Sequence, residues 1–174
     1  VGRLEETKGL YILLKATKLL MNYCDNFELY IVGDGSLRKK LENLSRKLNL
    51  NNIVKFLGPV SDRNKLVEIY HSADIFVLPS LRDYCPVVIF EAWAAGLALI
   101  ATKAGSITAI CQHYYNAYLI SPKNITMLVE AMLELYRNNE LRLHIARNGI
   151  TTVKQKYTWE IISKQIQQLY TEIL

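Results

Sequence analysis

The feature that most constrains this chain is a rhythm of short apolar runs separated by helical periods. The runs are "ELYIVG" (28–33), "NIVKFLG" (52–58), "DIFVLP" (74–79), "LALIAT" (97–102) and "AYLIS" (117–121). Each has the length of a strand and lacks clean polar alternation, so both of its faces should be covered. Between them Leu10, Leu13, Leu14, Thr17, Leu20 and Met21 repeat at helical spacing, and 35–48 and 62–72 read as two shorter helices. Ser61 or Asp62 suits the cap of the latter. Strand and helix alternating in this way predict βαβ units, right-handed crossovers and a doubly wound, Rossmann-like parallel sheet with helices on both faces. After residue 121 the pattern is helical only. Leu128, Val129, Met132, Leu135 and Tyr136 form one stripe; Ile162, Ile166, Leu169, Tyr170 and Ile173 form another. Both stripes read as core contacts, and the last helix alternatively docks on a partner domain.

The 174 residues suffice for one α/β domain, and 51% hydrophobic with 21% charged residues is a globular balance. No apolar run approaches the ~18 residues needed to span a bilayer. The opening "VGRLEETKG" reads as the end of a strand followed by a helix, which predicts a domain excised from a longer protein or, alternatively, a complete small protein with an ordered start. A net charge of +5 suits anionic ligands. The cations are scattered, with "RKK" (38–40) the densest cluster, which favours a solvated basic face over a nucleic-acid groove. Cys24, Cys85 and Cys111 form no CxxC pair and no Cys/His cluster, so reduced thiols in a cytoplasmic setting are expected and no zinc site is.

Ligands of open parallel sheets sit at the carboxyl ends of the strands. Four such ends carry candidate residues. In "GRLEETKG" (2–9), Gly2 and Gly9 relax the backbone while Arg3 and Lys8 set two cations across a tight turn, which suits a diphosphate or simply a charged surface. "VGDGS" (32–36) brings Gly33 to a strand end, but Arg38 stands where a dinucleotide fingerprint needs its third glycine, and a plain turn explains it equally. "FLGPVSD" (56–62) turns sharply at Gly58-Pro59, where a base or only a turn fits. In "DYCPVVIFEAWAAG" (83–96), Pro86 suits a first helical turn and leaves the amides of Val87 and Val88 as a backbone anion site. Glu91 lies one to two turns further in, among Val88, Phe90, Ala94 and Ala95. Its burial demands hydrogen bonds, from sugar hydroxyls or from neighbouring protein groups. Asp83 and Glu91 would stand about 12 Å apart along a continuous helix. A hydrolytic carboxylate pair needs roughly 5–10 Å. The two acids suit separated parts of one long ligand better.

Taken in order, "VGRLEETKG", "LYIVGDG", "VKFLGPV", "YHSADIFVLPS", "DYCPVVIFEAWAAGLALIAT" and "YTWEII" resemble the retaining glycosyltransferases of family 4, also called group 1, with the GT-B fold. The resemblance covers essentially the whole chain and implies the C-terminal, donor-binding domain, with an N-terminal acceptor domain lying outside residues 1–174. It implies that Arg3 and Lys8 hold the donor diphosphate and that Asp83 and Glu91 are the two acids of an E-x7-E motif. The first acid would contact hydroxyls of the transferred sugar and the second the ribose. Gly2, Gly33 and the backbone at Tyr84, Cys85, Pro86, Val87 and Val88 would border the sugar and phosphates, and Gly58 to Val60 the base. Such enzymes do not generally require a metal or resident cofactor. Four departures stand out: Asp83 for the usual glutamate, Pro86 for a frequent glycine (though proline also occurs there in the family), Ala98 for a common proline and Ala109 for a common glutamate.

The expected function is therefore transfer of a hexosyl group from a UDP- or GDP-type sugar to a glycan, lipid or protein acceptor. The expected location is cytoplasmic, with peripheral contact at the membrane face left open. The competing readings are a GT-B epimerase or phosphorylase, and a non-catalytic binding module in which Asp83 marks decay.

Overall fold

The computed structural model describes residues 1–173, with side chains through Glu172. The five expected strands form at Leu29–Val32 (β1), Val54–Gly58 (β2), Ile75–Leu78 (β3), Ala98–Thr102 (β4) and Tyr118–Ile120 (β5). Helices follow them as Leu10–Leu20 (α1), Arg38–Lys47 (α2), Arg63–His71 (α3), Val87–Ala94 (α4), Ile107–Ile110 (α5), Ile125–Arg137 (α6), Asn139–Lys156 (α7) and Trp159–Ile173 (α8). The chain is α/β, with parallel strands flanked by helices. Asp62 is the cap of α3, its carboxylate accepting the amides of Asn64 and Lys65.

Strand β4 is buried along its whole length, and its alternation divides the core. Ala98 and Ile100 face α1 and α6, with Tyr118, Leu128 and Met132 packed around them. Leu99 and Ala101 face the other way, into a cluster with Ile89, Trp93 and Ile107. A third cluster joins Leu4, Leu14, Ile31, Leu41, Leu50 and Val54. Helices thus cover both faces, as the continuous apolar runs require.

Every ladder is parallel, but the pairing falls into two parts, β1–β2 and β3–β4–β5. Residues 1–4 run beside the end of β1, with the Gly2 amide donating to the Val32 carbonyl at 2.9 Å and the Leu4 amide to the Asp34 carbonyl at 2.9 Å. Among the described residues nothing bridges β1 to β3.

The stripe of α8 departs from its expected role. Ile166, Leu169 and Tyr170 are exposed, and Ile162 is only half-buried. The side chain of Ile173 lies outside the described residues. Among the described residues no element packs over that face, so its amphipathic pattern has no core to join there. By contrast α7, whose sequence carries a weak stripe, packs tightly on α4. Gly149 permits this: a Cβ there would stand 2.3 Å from the Trp93 ring. Trp93 is fully buried and its indole N–H donates to the Asn116 carbonyl at 2.9 Å. Gly149→Ala should therefore lower stability by about 1–3 kcal/mol through overpacking. Urea unfolding followed by Trp fluorescence measures it, and an unchanged midpoint would contradict this packing.

Candidate functional site

The site lies at the carboxyl edge of the strands. A short 3-10 turn, Glu6–Lys8, ends at Gly9 with φ 66°, and a Cβ on Gly9 would stand 2.0 Å from the Pro79 carbonyl oxygen. Only glycine allows that approach, which lays the turn against the end of β3. The Leu81 amide then donates to the Thr7 carbonyl at 2.7 Å. This stitching brings Lys8 to Asp83 across 75 positions of sequence, Nζ to Oδ2 at 2.7 Å.

Asp83 is buried, and its surroundings explain how a carboxylate is tolerated there. The Ser80 hydroxyl donates to the same Oδ2 at 2.8 Å. The Ser80 carbonyl in turn accepts from Thr102 Oγ1 at 2.6 Å, tying the loop to the end of β4. From below, the Ser106 amide donates to the Asp83 carbonyl at 3.3 Å. A Cβ on Gly105 would come within 1.8 Å of that carbonyl oxygen, and Gly105 has φ 58°. Among the described residues no buried side-chain oxygen lacks a partner. Asp83 Oδ1 has no protein partner, so it must touch solvent.

Glu91 shows the same division. Its Oε2 accepts from the Tyr70 hydroxyl at 2.7 Å, while Oε1 has no protein partner and is open. Tyr70 is buried, and that burial, reinforced by Glu91, pushes its phenol well above the ordinary range. Tyr70 thus stays a donor, and protein and solvent share the hydrogen bonds that Glu91 demands.

Between the acids α4 begins. Pro86 occupies the cap position, one residue outside the expected first turn, and no side chain caps the helix. Cys85 is exposed with φ 51°, its amide donating to Ser106 Oγ at 2.7 Å. Tyr84 and Val87 are strongly exposed, and Val88 is half-buried. The first-turn amides of Val87 and Val88 present partial positive charge between two carboxylates.

Other expected residues stand differently. Arg3 is not gathered with Lys8; its side chain is 78% exposed and pairs with Glu5 at 3.1 Å. Such a surface pair is weak and leaves the guanidinium free to re-orient. Gly33 is needed by the protein itself, because a Cβ there would lie 1.9 Å from the Gly2 carbonyl oxygen, and its amide donates to the Gly58 carbonyl at 2.8 Å. Gly58 lies beside the Arg38 guanidinium, and Val60 is half-buried in the following loop. Sequence reasoning missed Tyr70, Ser80, Thr102, Gly105 and Ser106. Tertiary contact alone marks Tyr70, Thr102, Gly105 and Ser106, whereas Ser80 stands only three residues before Asp83. Among the described residues no three His, Cys, Asp or Glu side chains converge.

The profile of "Glycosyl transferases group 1" matches residues 1–152. The chain belongs to this family. A similar curated relative is an uncharacterized glycosyltransferase of Methanocaldococcus jannaschii, 33% identical over 98% of this chain and 43% of its own length. Among solved structures, the C-terminal domain of a group 1 glycosyltransferase (LpcC) from Francisella tularensis superposes with a TM-score of 0.84 at 28% identity, covering 91% of this chain and 84% of that one. Anabaena HepE in complex with UDP gives 0.87 at 26%, over 98% of this chain and 47% of that one. The chain thus corresponds to the C-terminal domain of GT-B glycosyltransferases and spans less than half the length of the curated relatives it matches. No described helix is long and apolar enough to cross a membrane.

Two outcomes follow from this geometry. Tyr70→Phe removes the donor to Glu91 and should cost about 1–2 kcal/mol; chemical denaturation that finds no loss would contradict the contact. Burial pushes the Cys111 thiol up to about 12 and raises Cys24, so both hold less thiolate at pH 8 than an ordinary cysteine. Exposed Cys85 should react with a thiol reagent at least about tenfold faster than either. Mass mapping of the labelled sites over time measures this, and equal rates would contradict it.

Proposed function

We propose that residues 1–174 are the nucleotide-sugar-binding half of a retaining glycosyltransferase, which moves a hexosyl group from a UDP- or GDP-type donor to an acceptor held by a second domain. The observation that carries this reading is the row of free acceptors and donors at the sheet edge. Asp83 offers Oδ1, α4 offers its first-turn amides, and Glu91 offers Oε1. Acceptor, donor, acceptor matches sugar hydroxyls, phosphates and ribose hydroxyls in sequence. HepE, at 26% identity, has been solved with UDP and with UDP-glucose, which supports a donor of this class.

In this reading Asp83 orients the sugar ring and Glu91 anchors the ribose. Lys8, the α4 amides and a re-oriented Arg3 meet the charge that grows on the leaving diphosphate, an electrostatic contribution made before the reaction begins. Gly58 to Val60 border the base. No resident cofactor or metal is assigned, and neither acid is assigned as a covalent nucleophile; transfer proceeds on one face with retention. Lys8 is shared between Asp83 and the diphosphate, so donor binding draws on a contact already formed.

Titration calorimetry with UDP- and GDP-sugars tests the assignment. Arg3→Ala and Glu91→Ala should each weaken binding about tenfold or more, the scale of one lost charge-assisted or ribose contact. Equal affinity for the wild type and both variants would sink it. Residues 1–174 alone should bind weakly and not turn over, because they supply no acceptor platform and no second wall to exclude water. Robust transfer by this chain alone would refute that.

A further inference from the structure

Tyr70 carries a hydroxyl that the core does not need. Its ring lies in the cluster with Phe76, Ile89 and Trp93, and its centroid stands 5.8 Å from that of Phe76. A phenylalanine would fill the same place without burying a polar group, and a buried hydroxyl is costly unless bonded. The hydroxyl donates to Glu91, and among the described residues nothing else bonds that carboxylate. Both ends of the contact stand on fixed elements. The Ala73 amide donates to the Tyr70 carbonyl at 3.2 Å and the Ala98 amide to the Asp74 carbonyl at 3.1 Å, which ties the end of α3 to the starts of β3 and β4. Glu91 belongs to α4, which packs through the buried Trp93 against α7.

We propose that Tyr70 is the positioning residue that aims Glu91, and that its hydroxyl sets how strongly this site prefers a ribonucleoside diphosphate over a nucleotide lacking ribose hydroxyls. This role rests on the reading of Glu91 as the ribose-binding acid. A free glutamate side chain turns about χ1 and χ2, and its terminal torsion is broad. Holding Oε2 confines the direction of Oε1, the oxygen left open, so the ordering is complete before a ligand arrives. The hydrogen bond also runs one way. Burial and Glu91 hold the phenol well above its ordinary range, so it stays protonated and donates. Oε2 is therefore the acceptor committed to the protein, and Oε1 the acceptor kept for ligand hydroxyls. Tyr70 is itself buried, so it acts on a ligand through Glu91.

Titration calorimetry of the wild type, Tyr70→Phe, Glu91→Ala and the double variant tests it. UDP and GDP are each set against their 2′,3′-dideoxy counterparts, and the readout is the ratio of the two affinities. A general loosening of the domain weakens both ligands and leaves that ratio alone. Tyr70→Phe keeps the ring against Phe76, and circular dichroism checks that each variant is folded at the assay temperature. The wild type should prefer the ribonucleotide about tenfold or more, the scale of a charge-assisted hydrogen bond. Tyr70→Phe should lower that preference at least about threefold, and should change it no further once Glu91 is alanine. A wild-type ratio in Tyr70→Phe, with the ratio lost in Glu91→Ala, would overturn the role of Tyr70 and leave the donor reading standing. A ratio unmoved by Glu91→Ala would overturn that reading and this role with it. A further fall in the double variant below Glu91→Ala would show Tyr70 acting by another route and likewise overturn the proposal.

Discussion

The structure depends on one constraint: β4 is a parallel strand with no exposed residue, so everything around it must be covered from both sides. Its alternation sends Ala98 and Ile100 to α1 and α6, and Leu99 and Ala101 to α4 and its neighbours. Helices on opposite faces force each connection to cross from the end of one strand to the start of the next. The loops that carry polar residues therefore gather at a single edge. Thr102, the last residue of β4, is where this geometry meets the chemistry, since its hydroxyl fixes the loop that carries Asp83.

At that edge the governing problem is electrostatic. Asp83 and Glu91 are removed from much of the solvent, and each is tolerated because the protein satisfies one of its oxygens and leaves the other open. Such half-satisfaction is what a hydroxyl-binding acid requires: positioned by the protein, yet able to accept from a ligand. Lys8 adds a charge in direct contact with Asp83. The same residues would serve poorly as a pair acting on one atom, because they answer to different partners on different elements.

Backbone contact does much of the positioning. Gly9 and Gly105 allow carbonyl oxygens of Pro79 and Asp83 to approach where any side chain would collide, so the turn at Lys8 and the loop at Asp83 are locked by main chain rather than by long side chains. Where no such partner exists the sequence pattern misleads. The stripe of α8 has helical spacing and apolar residues, yet Ile166, Leu169 and Tyr170 face outward because no other described element buries them. A stripe records a capacity for burial and says nothing of the partner.

The sequence by itself determined the local elements. All five strands and the early helices were legible because continuous apolar runs and 3.6-residue periods are written along the chain, and Asp62 was legible as a cap because its chemistry is local. It also determined the candidate acids and cations, since their order of motifs resembles one family. Tertiary structure alone decided which of them meet. Lys8 reaches Asp83 over 75 positions, Tyr70 reaches Glu91 over 21, and Arg3 turns aside to Glu5. Spacing could not foresee these contacts, because each depends on how strands of fixed length and helices of fixed crossing bring distant loops to one edge.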